Sequence, residues 1–194
     1  MPTKQKILST SGTYFITFTC AQWIPLIEII NGYDIICKWF GYLKSHKHYV
    51  NGFVIMPNHV HALLSFSSEE RSINTIIGTG KRFMAYEMIR RLKESNAKAL
   101  TDRSAGSVES ERKKNNKLHD VWELSFDWKE CRSRKIIQQK LDHMHANPCR
   151  GKWQLCSEMT DYEHSSVRYY INGVHASYEV TDYQLMEDIN LDVW

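Results

Sequence analysis

Polar and apolar residues alternate along Gly12–Cys20 (GTYFITFTC), a run rich in β-branched and aromatic side chains, and this predicts a strand. Helical spacing follows over Asp34–His46, where Ile35, Ile36, Trp39, Phe40 and Leu43 form one apolar stripe. Tyr49–Met56 and His59–Phe66 are two more strand-like runs, and the Pro57-Asn58 between them is turn chemistry, so they pair as a hairpin. A second helical stripe covers Arg71–Leu92 through Ile73, Ile76, Ile77, Phe83, Met84, Met88 and Leu92. Gly78 and Gly80 interrupt it, which predicts that its first turns stand apart. Val121–Phe126 reads as a short strand, Ser133–Ala146 as a helix stopped by Asn147-Pro148, and Ser165–Ile171 as a short helix.

The order β-α-β-β-α-β followed by a helix predicts an α+β, ferredoxin-like architecture: one four-stranded antiparallel sheet with helices on one face, plus a C-terminal helix. Ser95–Lys117 is poor in apolar residues and reads as a mobile charged loop. The expected organisation is a domain over residues 1–157 and an acidic C-terminal extension over 158–194. That fold hosts many functions, so function must be read from the site.

Composition narrows the class without deciding it. At 194 residues with 42% hydrophobic and 24% charged residues, the chain can bury a core without staples. No apolar run is long enough to cross a membrane, and the first residues lack the apolar stretch of a secretion signal, so a cytoplasmic protein is expected. The five cysteines show no CxxC pair, which fits reduced, structural thiols rather than a zinc finger. Charge is uneven: Lys81–Lys117 holds eleven Lys/Arg against five Asp/Glu, whereas Glu158–Trp194 holds one Arg against eight acids. A basic middle suggests a surface for a polyanion, and a solvated helix face with a charged loop fits the same counts.

The chemistry concentrates in two places. His59 and His61 alternate on a strand and project from one face, where two imidazoles can chelate one divalent cation. A hydrogen-bonded pair of histidines on a polar face fits the spacing equally. In the segment KLDHMHANP, Lys140–Pro148, His143 and Asn147 are four apart and share a helix face at its last turn, with Asp142 and His145 adding polar groups. A helix end capped by Asn147 fits that spacing too.

The motif VIMPNHVHALL, Val54–Leu64, resembles the signature of the HUH single-tyrosine transposases, in particular the branch associated with repetitive extragenic palindromes (REP). The resemblance continues through VWELSFDW (Val121–Trp128), LDHMHANPCRGKW (Leu141–Trp153) and DYEHSSVRYY (Asp161–Tyr170). It implies a DNA-cleaving protein of the bacterial cytoplasm that acts on single-stranded or hairpin DNA with palindromic repeats, paired as a homodimer. His59 and His61 would be histidine ligands of Mg²⁺ or Mn²⁺, and Asn147 the amide ligand. A tyrosine on the last helix would attack phosphorus and form a 5′-phosphotyrosine.

The sequence departs from the family at that nucleophile, because His143 stands at the tyrosine position. Four readings are open: His143 attacks phosphorus itself, joins the metal ligands, acts as general base for a water, or marks a silent relative that only binds DNA. Lys81, Arg82, Arg90, Arg91 and Lys93 are candidate phosphate contacts, Arg112, Lys113 and Lys114 a basic arm, and Arg132, Arg134 and Lys135 a further basic edge. Trp39, Trp122, Trp128 and Trp153 are expected in the core.

Overall fold

A computed structural model describes residues 6–67, 71–95 and 121–186. Most of the predicted charged loop, with Arg112, Lys113 and Lys114, lies outside the described residues. The elements run β1 (Gly12–Thr19), α1 (Leu26–Ile29), α2 (Tyr33–Ser45), β2 (Tyr49–Ile55), β3 (His59–Phe66), α3 (Ile73–Glu94), β4 (Asp127–Glu130), α4 (Arg134–His145) and α5 (Val167–Asn172). The strands form one sheet in the order β2-β3-β1-β4, and every pairing is antiparallel. This is the expected α+β, ferredoxin-like sheet.

Alternation along β1 and β3 divides the interior in two. Tyr14, Ile16 and Phe18 of β1 and Val60, Ala62, Leu64 and Phe66 of β3 face α2 and α3 in the larger core. Phe15 and Leu63 turn the other way and pack with Ile137, Leu141 and Met144 of α4 in a smaller core. Thr17 pairs with His61 and Thr19 with His59, so both histidines open onto the α4 side.

Two glycines set how closely helices approach. A Cβ on Gly80 would lie 2.1 Å from Trp39 Nε1, so α3 is continuous through Gly78 and Gly80 and uses Gly80 for its contact with α2. The expected break is thereby corrected: packing against Trp39 explains the glycine. A Cβ on Gly52 would lie 2.5 Å from Leu141 Cδ2 and from Met144 Cε, which lets α4 settle directly onto β2. Ser133 caps α4 by accepting from Ile136 N–H.

The fourth strand lies at Asp127–Glu130, later than the expected Val121–Phe126. Trp122 makes only an isolated bridge to Cys20, and its ring fills the larger core against Phe18 while Nε1–H donates to Lys81 O. The outer edge of β2 is closed by the C-terminal stretch. Ile55 N–H donates to His164 O, Ser166 N–H to Phe53 O and Thr181 N–H to Val50 O. Tyr162, Val180 and Tyr183 are buried there. Asn51 bulges from β2 and accepts from Ser65 Oγ–H while its amide donates to Thr181 O, which ties sheet and tail through buried polar groups. Among the described residues, no helix is long and apolar enough to cross a membrane.

Candidate metal and nucleic-acid site

Pro57-Asn58 turns β2 into β3 and places His59 at the first position of β3. Asn58 is fully buried, and its amide works in two directions. Nδ2–H donates to Trp23 O at 3.1 Å, which leaves Oδ1 to accept from His59 Nδ1–H at 2.7 Å. His59 therefore carries its lone pair on Nε2. His61 Nδ1 lies 2.7 Å from Thr17 Oγ1, its neighbour across the sheet. With Nδ1–H donating to that hydroxyl, His61 also presents a bare Nε2. Outer-sphere oxygens that fix the tautomer of a ligating imidazole are the usual support of a metal-binding histidine.

The two rings sit 4.8 Å apart between centroids at 82°. His61 stacks on Phe15 at 5.4 Å and meets His143 of α4 at 6.2 Å and 71°. Burial lowers His59 to about 4, and the charge of Lys152 adds to this. Burial also lowers His61 to about 3, assisted by His59, His143 and Lys140. Both rings are thus neutral at neutral pH, with lone pairs available, and they fit a divalent cation. Among the described residues, no set of three His, Cys, Asp or Glu side chains is placed to hold one metal ion. Such a pair leaves most coordination positions to amide, phosphate and water oxygens, which suits a hard cation.

α4 delivers the rest of the site. His143 is exposed on its last turn and also meets Phe15 edge-on at 6.3 Å. Ala146 caps α4, and Asn147, half-buried, opens a 3-10 turn over Asn147–Cys149. His145 turns away from this group. It is buried, its Nε2 lies 2.9 Å from Ser166 Oγ, and burial lowers it to about 4. Ser166 O–H donates to Phe53 O, so His145 is the donor in that pair and ties α4 to the tail. Tyr162 and Tyr170 donate to Ile55 O and Asn51 O, and burial pushes both phenols up, so neither is an activated nucleophile.

No protein-family model matches the chain, and no curated protein matches it. Among solved structures, a REP-associated tyrosine transposase bound to a REP hairpin matches with a TM-score of 0.62. The match covers 94% of this chain and 95% of that one at 16% identity. The chain has that transposase's fold. A match to a Deinococcus radiodurans protein assigned as a transposase covers 74% of this chain and 98% of that one at 15% identity, with a TM-score of 0.41.

Within this fold, the cations expected on α3 do not gather at the histidines. α3 packs on the opposite face of the sheet. Lys81 is buried and its ammonium donates to Glu123 O and Ser125 O, so it ties α3 to the segment before β4 and is not a surface phosphate contact. Arg90 pairs with Glu87 and Glu94, and Arg91 with Asp34 and Glu87. Arg82 is exposed over Phe83, Arg132 pairs with Glu130, and Arg134 is exposed at the start of α4. Among the described residues, the positive charge of Lys152 acts on His59 and that of Lys140 on His61, each helping to hold its ring neutral. Lys140, three residues before His143, also lies over the Phe15 ring at 5.1 Å, and that helical spacing was legible in the sequence. Lys152 reaches the site from beyond the Asn147–Cys149 turn, which no spacing announces.

Proposed function

We propose that this chain binds single-stranded or hairpin DNA and breaks and rejoins a phosphodiester at the site formed by His59, His61 and His143. The observation that carries the reading is the meeting of His61 with His143 at 6.2 Å, on a sheet face where two neutral imidazoles are held by Asn58 and Thr17. The shared fold with a hairpin-bound transposase supports DNA as the partner.

His59 and His61 would hold Mg²⁺ or Mn²⁺, with Asn147 the candidate amide ligand. The cation would supply a Lewis acid that polarises a phosphoryl oxygen. Lys140 and Lys152 supply positive charge beside the histidines, where a DNA phosphate would sit. The lone pair of one imidazole nitrogen of His143 attacks phosphorus: a P–N bond forms, the P–O3′ bond breaks, and the proton on the ring's other nitrogen passes through solvent to the departing 3′-oxygen. The 5′-phosphate then remains on His143 as a phosphoramidate. Attack by a 3′-hydroxyl reverses the step and regenerates the imidazole, so rejoining needs no nucleotide cofactor. Two chains paired on a palindromic site complete the proposal.

A hairpin oligonucleotide with a single-stranded flank, labelled at its 3′ end so that the fragment bearing the new 5′-phosphate is followed, tests it on a denaturing gel after incubation with Mn²⁺. The expected product is a protein–DNA adduct that mild acid releases. Free product with a 5′-phosphate would assign the attack to water instead, and binding without cleavage would leave only a binding role. Sedimentation of the DNA complex reports whether two chains assemble.

A further inference from the structure

Trp23 closes the 3-10 turn Ala21–Trp23 between β1 and α1, and 62% of its surface is exposed. Its backbone is left-handed at φ 58°, and that of Gln22 before it at φ 56°. Two consecutive left-handed residues, neither a glycine, store strain. A ring left in solvent returns little of that cost through burial. The turn is nevertheless pinned from several sides. Ala21 N–H donates to Val121 O at 2.8 Å, Gln22 N–H to Glu123 Oε1 at 3.0 Å, and Trp23 N–H to Cys20 O at 3.1 Å.

The remaining tie is the informative one. Asn58 Nδ2–H donates to Trp23 O, and the Oδ1 of the same amide accepts from His59 Nδ1–H. A single buried side chain therefore fixes both the exposed indole's backbone and the orientation of a candidate ligand. Strain held in place by surrounding bonds, around a side chain the core does not use, marks a surface reserved for a ligand.

We propose that Trp23 is a stacking platform for an unpaired nucleobase of the strand processed at the histidines. This rests on the DNA reading above and adds a base-binding subsite to it. The ligand chemistry follows from the surroundings. Lys152 and Lys140 attract phosphate next to the histidines, and a nucleic-acid strand carries flat rings between its phosphates. An indole is the largest side-chain face on which such a ring can stack, and it does so without regard to base identity. A pinned backbone means that little ordering is left to be done when the base arrives.

The wild-type protein, Trp23→Gly and Trp23→Phe are compared for binding to a labelled oligothymidine and to the same strand with abasic residues, in chelator so that no cleavage intervenes. Glycine accepts the left-handed backbone, so the Gly variant loses the ring without added strain, and its unfolding midpoint monitors the fold. Its affinity for the oligothymidine is expected to fall about tenfold, with the Phe variant between it and wild type. On the abasic strand, all three proteins should bind alike. Wild-type affinity in a folded Trp23→Gly protein would overturn the stacking role while leaving the DNA reading intact. Failure of the wild type to bind either strand would instead overturn the DNA reading and the subsite with it.

Discussion

His61 of β3 and His143 of α4 meet at 6.2 Å between ring centroids, with their planes at 71°. The strand supplies one ring through its alternation, and the helix supplies the other because Gly52 lets Leu141 and Met144 rest directly on β2.

Replacing His143 with tyrosine tests that geometry most directly. His143→Tyr places a phenol on the same exposed turn of α4, facing His61. The variant is expected to form an acid-stable adduct with the 5′ end of a cut strand, where the adduct proposed for the wild type would be acid-labile. His143→Ala should form none. A Tyr variant that binds metal and DNA yet forms no adduct would show that position 143 does not reach the scissile phosphate.

Metal binding should follow His59 and His61 and the oxygens behind them. The double alanine variant is expected to give no Mn²⁺ binding heat by titration calorimetry. Thr17→Val removes the hydroxyl that holds His61 Nδ1 and should weaken Mn²⁺ about tenfold. A double variant that titrates like the wild type would dissociate the cation from this pair.

The salt dependence of DNA binding should track the lysines beside the histidines and not the arginines of α3. Neutralising Lys140 and Lys152 together is expected to reduce the slope of log affinity against log salt by about two. Arg90→Gln should leave it nearly unchanged, since Arg90 already pairs with Glu87 and Glu94. The reverse pattern would move the DNA surface to the α3 face.

The first three strands and the histidine pair were legible in the sequence because each rests on a short period. Alternation through Thr13–Thr19 and His59–Phe66 fixes which side chains share a face, and Pro57-Asn58 fixes the turn. β4 was not legible, because Asp127, Lys129 and Glu130 make an edge strand look like a loop, while the apolar Val121-Trp122 is a core plug. Gly80 misled for a related reason: a residue that breaks an isolated helix is here required by an indole on another one. At the site, Lys152 and Trp23 escaped because their positions depend on turns, and turns hold side chains by bonds that no spacing encodes.

Acidification should weaken the fold through histidines held neutral. His145 is lowered to about 4 by burial, below its ordinary 6.5, so its contribution is complete above pH 6.5 and lost as pH falls toward 4. Denaturant melts across that window should show a loss on the order of 3 kcal/mol from this residue. His59 and His61 act in the same direction. His145→Gln is expected to be less stable at pH 7 but to fall less steeply with acid. A parallel slope in the variant would remove His145 from the account.

The tail across β2 also sets a timetable for synthesis. Phe53 and Ser166 are 113 positions apart, so β2 leaves the ribosome long before the residues that cover its outer edge. Until they arrive, Phe53, Val54 and Ile55 present an open, apolar strand edge to any neighbour. Closing the sheet depends on that distant pairing, which makes completion late and slow relative to the β2–β3 hairpin. A nascent chain stalled before Ser166 would thus carry the histidine pair on an unsealed sheet, exposed to association with other chains.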